Sequence, residues 1–360
     1  MEKFFLSLLL ISFLLNPRWP FSLIEDTFDF VVDLLLTENS TRGYEGNVLF
    51  LQNEALSELQ EKAESGNPEA QISLGDVFYH GKNVPTNFPQ AVKWFRMAAE
   101  QGHAEAQYKL ATAYYYGKGV PEDYVEAAKW FQKAGEQEHS EALNALAVLY
   151  YNGNGVTQNY NKAIQFFLQA AEQGNSNAQH NLGIIYELGE AVSQDYSKAV
   201  NWYRMAAGQG YSNAQNNLGL MYQNGHGVPQ DYTEAAKWFR MAAMQGNTAA
   251  QVNLADLIFK GNGIPKDYFK AMGWYGEAAE NGNTSAQYKI GLLYQSGEYD
   301  HQDYSSAFSY YQKASKKGHS DSQYNLGLFY FHGLIVPKDY SEAIKWFRKA
   351  AEQGNANGQY

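Results

Sequence analysis

The apolar positions of residues 67–102 follow two helical rhythms. Ala70, Leu74 and Phe78 fall at i, i+4 and i+8, one stripe of a helix, and Ala91, Trp94, Phe95 and Ala98 fall at i, i+3, i+4 and i+7. A polar, glycine-bearing stretch separates the two runs. The pattern then returns every 36 residues without insertion or deletion. Ala70-Gln71 recurs as Ala106-Gln107, Ala142-Leu143, Ala178-Gln179, Ala214-Gln215, Ala250-Gln251, Ala286-Gln287, Ser322-Gln323 and Gly358-Gln359. A constant period of this size predicts stacked supersecondary units, each too small to bury its own apolar face. Nothing alternates with period two. The predicted class is therefore all-α: an α/α superhelical solenoid of eight 36-residue helix-turn-helix repeats with an N-terminal half-repeat.

Local chemistry sets the helix boundaries. Asn67 is placed to cap the first helix of its unit, helix A, and Pro68 suits the first helical position. Gly75 leaves room for a neighbouring helix. Glycine also holds one later phase in every unit: Gly81, Gly117, Gly153, Gly189, Gly225, Gly261, Gly297 and Gly333. A left-handed C-terminal cap calls for a residue without a Cβ there. The second helix, helix B, opens on Asn87, Asp123, Asn159, Asp195, Asp231, Asp267, Asp303 or Asp339, each cap worth about 1 kcal/mol. Glu126, Glu234 and Glu342, three residues later, are expected to complete capping boxes. An aromatic follows every cap, from Phe88 to Tyr340. Trp94, Trp130, Trp202, Trp238, Trp274 and Trp346 share one phase with Phe166 and Tyr310, and are expected to fill the space between layers.

Outside the repeats the pattern changes. Residues 1–20 hold the apolar run Phe4–Leu15 behind Lys3, closed by Asn16-Pro17-Arg18. That run is too short for the ~20 residues of a bilayer span but suits a signal-peptide core, with a hydrophobic anchor or a plain hydrophobic cap as the alternatives. Glu2 and the lack of a small-x-small cleavage site weigh against export, which is nonetheless the expectation. Residues 21–50 form an amphipathic segment with an acidic face, fitting a capping helix better than a lipid-lying one, and then a linker. Residues 51–66 read as the half-repeat, 67–354 as the eight repeats, and 355–360 as the start of a ninth. An open solenoid end is expected to be sticky, so either its last apolar face docks on a partner or a second copy, or the repeat array is naturally cut short there, or the sequence is a fragment.

Composition narrows the function. A net charge of −11 lacks the basic footprint of phosphate binding, so nucleic acid is not an expected partner. The chain has no cysteine, which excludes disulfides and thiolate metal sites. Aromatics make up 15% of residues, as suits a thin structure whose core is rebuilt in each repeat.

The run Ala214-Gln215-Asn216-Asn217-Leu218-Gly219-Leu220-Met221-Tyr222, then Gly225-His226-Gly227-Val228-Pro229-Gln230-Asp231-Tyr232, Ala235-Ala236-Lys237-Trp238-Phe239 and Ala242-Ala243, resembles the Sel-one-like repeat, a relative of the tetratricopeptide repeat. The resemblance implies a right-handed superhelix with helix A lining its inner curve. Asn83, Ala191, Tyr299 and Ile335 depart from it at the second loop glycine. Some members have been associated with β-lactam binding or hydrolysis and others with membrane-anchored quality control.

Catalytic patterns are sparse. No serine has lysine three residues on, and neither His-Glu-x-x-His nor a phosphate-binding glycine loop occurs. His103, His139 and His319 share the turn before helix A, too far apart in a stack for common ligation. No enzyme, cofactor or metal site is expected. On helix A, one position between the packed stripe and the back carries Ser73, Lys109, Ala145, Asn181, Asn217, Asn253, Lys289 and Asn325. An asparagine ladder there could hydrogen-bond a peptide backbone, and Lys109 or Lys289 a carboxylate. Equally, those asparagines could bond within the repeat. Tyr79, Tyr115, Tyr151, Phe259 and Phe331 could anchor a partner or serve packing. The expected function is a non-catalytic scaffold binding proteins or peptides, the alternatives being a membrane-anchored adaptor or a cell-wall-related hydrolase.

Overall fold

Capping residues and glycines divide the chain into seventeen helices among the described residues of the computed structural model, which are 55–355 except 83 and 299. Residues 55–64 form α1. Pro68–His80 is α2, Phe88–Glu100 α3, Ala104–Tyr116 α4, Tyr124–Gly135 α5, Ser140–Asn152 α6, Tyr160–Glu172 α7, Ser176–Leu188 α8 and Tyr196–Gly208 α9. Ser212–Asn224 is α10, Tyr232–Ala243 α11, Thr248–Lys260 α12, Tyr268–Glu280 α13, Thr284–Ser296 α14, Tyr304–Lys316 α15, Ser320–His332 α16 and Tyr340–Glu352 α17. No strand occurs among the described residues. The signal segment, the amphipathic segment with its linker and the start of a ninth repeat lie outside them, as do Asn83 and Tyr299.

The chain forms two units, residues 1–97 and 98–360. In the first, Ala63, Ala70, Leu74 and Trp94 make a core, with Leu56, Leu59, Phe78 and Met97 against it. Gly75 permits the close approach of Phe95: a Cβ there would lie 2.4 Å from the ring. In the second unit, each helix A packs on helix B of its own repeat, and that helix B on the next helix A. The unit is an all-α solenoid built from local contacts.

The phases of Ala70, Ala91 and Ala98 are buried at every described position of that unit and are alanine at each but the equally buried Ser322, letting backbones approach. The aromatic at the centre of each layer is the residue after the Trp phase: Phe131, Phe167, Tyr203, Phe239, Tyr275 and Tyr311 are all buried, while Trp202, Trp238, Trp274 and Trp346 are half-buried. Trp94 and Trp130 are buried, so this phase fills the layer in the first two repeats and only covers it at Trp202, Trp238, Trp274 and Trp346.

The eight glycine caps adopt the left-handed conformation, with φ from 64 to 77°. The Asp and Asn caps of helix B accept backbone N–H bonds as their chemistry requires. The capping boxes need correction. Asp123, Asp231 and Asp339 donate their own N–H groups to Tyr114, Tyr222 and Tyr330 carbonyls of the preceding helix A, at 2.9–3.0 Å. With that donor occupied, the carboxylates of Glu126, Glu234 and Glu342 pair instead with Lys129, Lys237 and Lys345. The same tertiary bond ties the two helices of every repeat.

A second recurring bond joins repeats. Gln107, Gln179, Gln215, Gln251, Gln287 and Gln323 are buried, and each donates to a carbonyl at the end of the preceding helix B at 3.0–3.3 Å. Gln137, Gln209, Gln245 and Gln353 then donate to the Oε1 of Gln107, Gln179, Gln215 and Gln323. Where that donor becomes Asn281 or Lys317, Oε1 of Gln251 or Gln287 is left buried without a partner. In the loops, a Cβ on Gly155 would lie 2.3 Å from the Tyr124 backbone, so the glycine allows the loop to rest on the preceding repeat. Ala191 and Ile335 do not adopt its positive φ, and those loops take another path.

Candidate functional site

Helix A of consecutive repeats in the second unit presents one polar row. It runs beside the packed stripe because its residues come three positions after the small residue of the Ala-Gln pair and one before the next apolar residue of the stripe, about 60° and 100° round the helix from them. Lys109, Asn181, Asn217, Asn253, Lys289 and Asn325 are all half-buried in this row.

Most of these side chains reach across to the preceding repeat. Asn181 Nδ2 donates to Asn144 Oδ1 at 3.1 Å, and Asn253 Nδ2 to Asn216 Oδ1 at 2.9 Å. Asn217 Nδ2 lies 3.2 Å from His180 Nε2. Lys289 Nζ pairs with Asp256 at 2.9 Å. The other two bond within their own helices: Lys109 with Glu105 at 3.2 Å, and Asn325 with the Asp321 carbonyl at 3.0 Å. The row is thus a preorganised set of amides and charges, four of its six side chains fixed by the stacking and two by their own helix. Each amide has more donor and acceptor sites than the bonds it makes.

Burial pushes the His180 imidazole down to about 4, so it is neutral near pH 7 and accepts from Asn217. Tyr203 and Tyr211 rings flank it, at 5.7 and 5.2 Å between centroids. His139 and His319 are structural caps: their Nδ1 atoms accept from the N–H groups of Ala142 and Ser322, both at 3.3 Å. Tyr108 and Tyr288 lie against their rings. The hydrogen bond from His139 to Glu105, aided by Lys109, holds the Glu105 carboxyl below its usual range. Burial lowers His319. No group of three or more His, Asp or Glu among the described residues is placed to hold a metal ion, and no described helix is long and apolar enough to cross a membrane.

The aromatics at the end of helix A pack on the residue that follows the helix B cap. Tyr115–Tyr124, Tyr151–Tyr160, Phe259–Tyr268 and Phe331–Tyr340 have centroids 4.9–5.4 Å apart. Within the first unit Tyr79 meets Phe88 in the same way, at 5.1 Å. These rings brace the turn of their own repeat.

Two sets of residues escaped the reading by repeat phase. The buried Tyr203, Tyr275 and Tyr311 hydroxyls each find an acceptor on helix A: Glu187, Asp256 and Gln295. Burial raises all three phenols. The sequence carried no consistent signal for them: Glu187 and Gln295 replace an aromatic beside Tyr203 and Tyr311, but Gln223 does so beside Phe239, and the Tyr275 layer keeps Phe259. Gln158, Gln194, Gln230 and Gln302 donate to carbonyls in the last turn of helix A at 2.8–2.9 Å, and so cap it.

Comparison with known proteins agrees with this architecture. The family model described as Sel1 repeat matches eight consecutive segments, residues 68–103, 104–139, 140–175, 176–211, 212–247, 248–283, 284–319 and 320–355. The structure is similar to that of c5321, a protective antigen of uropathogenic Escherichia coli strains displaying an SLR fold. The two are 38% identical with a TM-score of 0.70, over 84% of this chain and 65% of that one, so this chain spans just under two thirds of that protein's length. A Sel1 repeat protein from Oxalobacter formigenes is 31% identical with a TM-score of 0.64, over 91% of this chain and 97% of that one. No curated protein matches. With its 36-residue period, glycine caps and buried glutamines matched from residue 68 to residue 355, the chain belongs to the Sel1 repeat family.

Proposed function

We propose that this protein is a non-catalytic scaffold that binds protein or peptide partners along the helix-A face of its second unit. Sel1 repeat proteins are in general protein-interaction scaffolds. The observation that supports the reading here is the polar row through Asn181, Asn217, Asn253 and Lys289. Its side chains are locked from repeat to repeat yet remain half-exposed. A partner meeting a row already ordered loses less entropy on binding than one meeting free side chains. Contact is then additive over repeats, and no single residue is indispensable.

The test is site-directed photocrosslinking in the native cell. A photoreactive residue at Ala145, in the same row, is expected to capture defined proteins. The same residue at Lys237, exposed on helix B, is expected to capture none of them. Capture from position 237 alone sinks the helix-A assignment. We also propose export through residues 1–20, for which intact-mass analysis with cell fractionation is the measurement. Loss of that segment with recovery outside the cytoplasm supports it, and a full-length cytosolic product rejects it.

A further inference from the structure

The junction of the second and third repeats breaks the period at four positions, and the structure gathers all four around one cleft. Gly135 stands where the other repeats have alanine or serine, and Glu138 where all of them have glycine. Leu143 stands where all have glutamine, and Phe166 where they have tryptophan or tyrosine. Together they line a cleft of about 610 Å³ between α5 and α7, with Leu143 and Leu146 of α6 buried at its base.

Each departure opens this space or changes its chemistry. In four other repeats the buried glutamine accepts from the glutamine that ends the repeat, as Gln245 donates to Gln215 at 2.8 Å. Leu143 removes that bridge, and its would-be partner Gln173 lies exposed at the rim. Gly135 withholds a methyl group that would come 2.9 Å from Leu143 Cδ2. Phe166 is smaller than the usual tryptophan. Glu138, at φ 62°, sets a carboxylate where every other repeat has no side chain. Glu136 and Glu172 join it on the rim, and no lysine or arginine lines the cleft.

We propose that this cleft binds an arginine side chain of a protein partner. The aliphatic stem lies over Leu143 and Leu146, and the guanidinium sits between the Phe166 ring and the carboxylates of Glu138 and Glu172. An apolar base under an acidic rim complements a side chain that is apolar along its length and cationic at its tip. Arginine fits better than lysine because its planar head both stacks on an aromatic ring and forks onto a carboxylate. The proposal rests on the reading of the chain as a protein-binding scaffold. It concerns the helix-B side, so it can fail while crosslinking from Ala145 still succeeds.

Titration calorimetry of the full chain with the blocked peptide Ala-Leu-Arg-Leu-Ala tests it. Saturable one-site binding is expected, weakened at least about tenfold when citrulline, which is neutral, replaces arginine. The variant Glu138→Gly/Leu143→Gln/Phe166→Trp restores the repeat pattern. It is expected to lose the peptide while melting at or above the parent temperature, which separates loss of the site from loss of the fold. Glu234→Gln/Glu342→Gln, at half-buried positions elsewhere on helix B, is expected to bind as the parent does. Absence of saturable binding to the parent, equal binding of the citrulline peptide, or full binding by the restored variant overturns the proposal. So does equal binding of free arginine, because the site is assigned to a side chain in a peptide.

Discussion

Trp238 and Phe239 are neighbours in sequence with different environments. Phe239 is fully buried against helix A, where a Cβ on Gly219 would come 2.6 Å from its ring, while Trp238 keeps part of its surface in water. Phe239→Ala is therefore expected to cost about 3–5 kcal/mol and Trp238→Ala distinctly less, checked by urea unfolding of both variants. Both residues belong to a helical apolar stripe, and period alone cannot say which faces the layer centre. His180 gives a pH prediction. Its folded value of about 4 lies below its ordinary 6.5, so the unfolded chain binds the proton more readily. Its contribution is complete above about pH 6.5 and is lost as the pH falls towards 4, at most about 3–4 kcal/mol. His180→Asn is expected to flatten the stability profile across that window, and an unchanged slope counts against this assignment.

At the scale of helices, the caps were legible because capping is a local bond between residues two or three apart. The capping box was not, because the donor it requires is taken by a carbonyl nine residues back in the chain, across the turn. The two halves can be separated by mutation. Asp231→Ala removes an acceptor of the Thr233 and Glu234 N–H groups and is expected to cost about 1 kcal/mol. Glu234→Ala, which breaks only an exposed pair with Lys237, is expected to shift thermal melting barely at all. Equal losses from the two would restore the reciprocal box.

At the scale of the second unit, stability is a sum over repeats and the contacts between neighbours. Deleting residues 212–247 removes one whole period and rejoins equivalent surfaces. The product is expected to keep its helicity per residue and to melt cooperatively by circular dichroism. Deleting residues 212–229 takes helix A without helix B and sets two B helices side by side, and that product is expected to lose cooperative melting. The sequence by itself determined the period, the all-α class, the helix ends and the glycine caps, since each depends on residues within one or two turns of one another. Tertiary structure alone decided which aromatic fills a layer, to which repeat Asn181, Asn217 and Asn253 bond, and that Gly135, Glu138, Leu143 and Phe166 face a common cleft. The first depends on how helix B seats on helix A within a repeat, and the other two on side chains brought together only when one repeat stacks on the next.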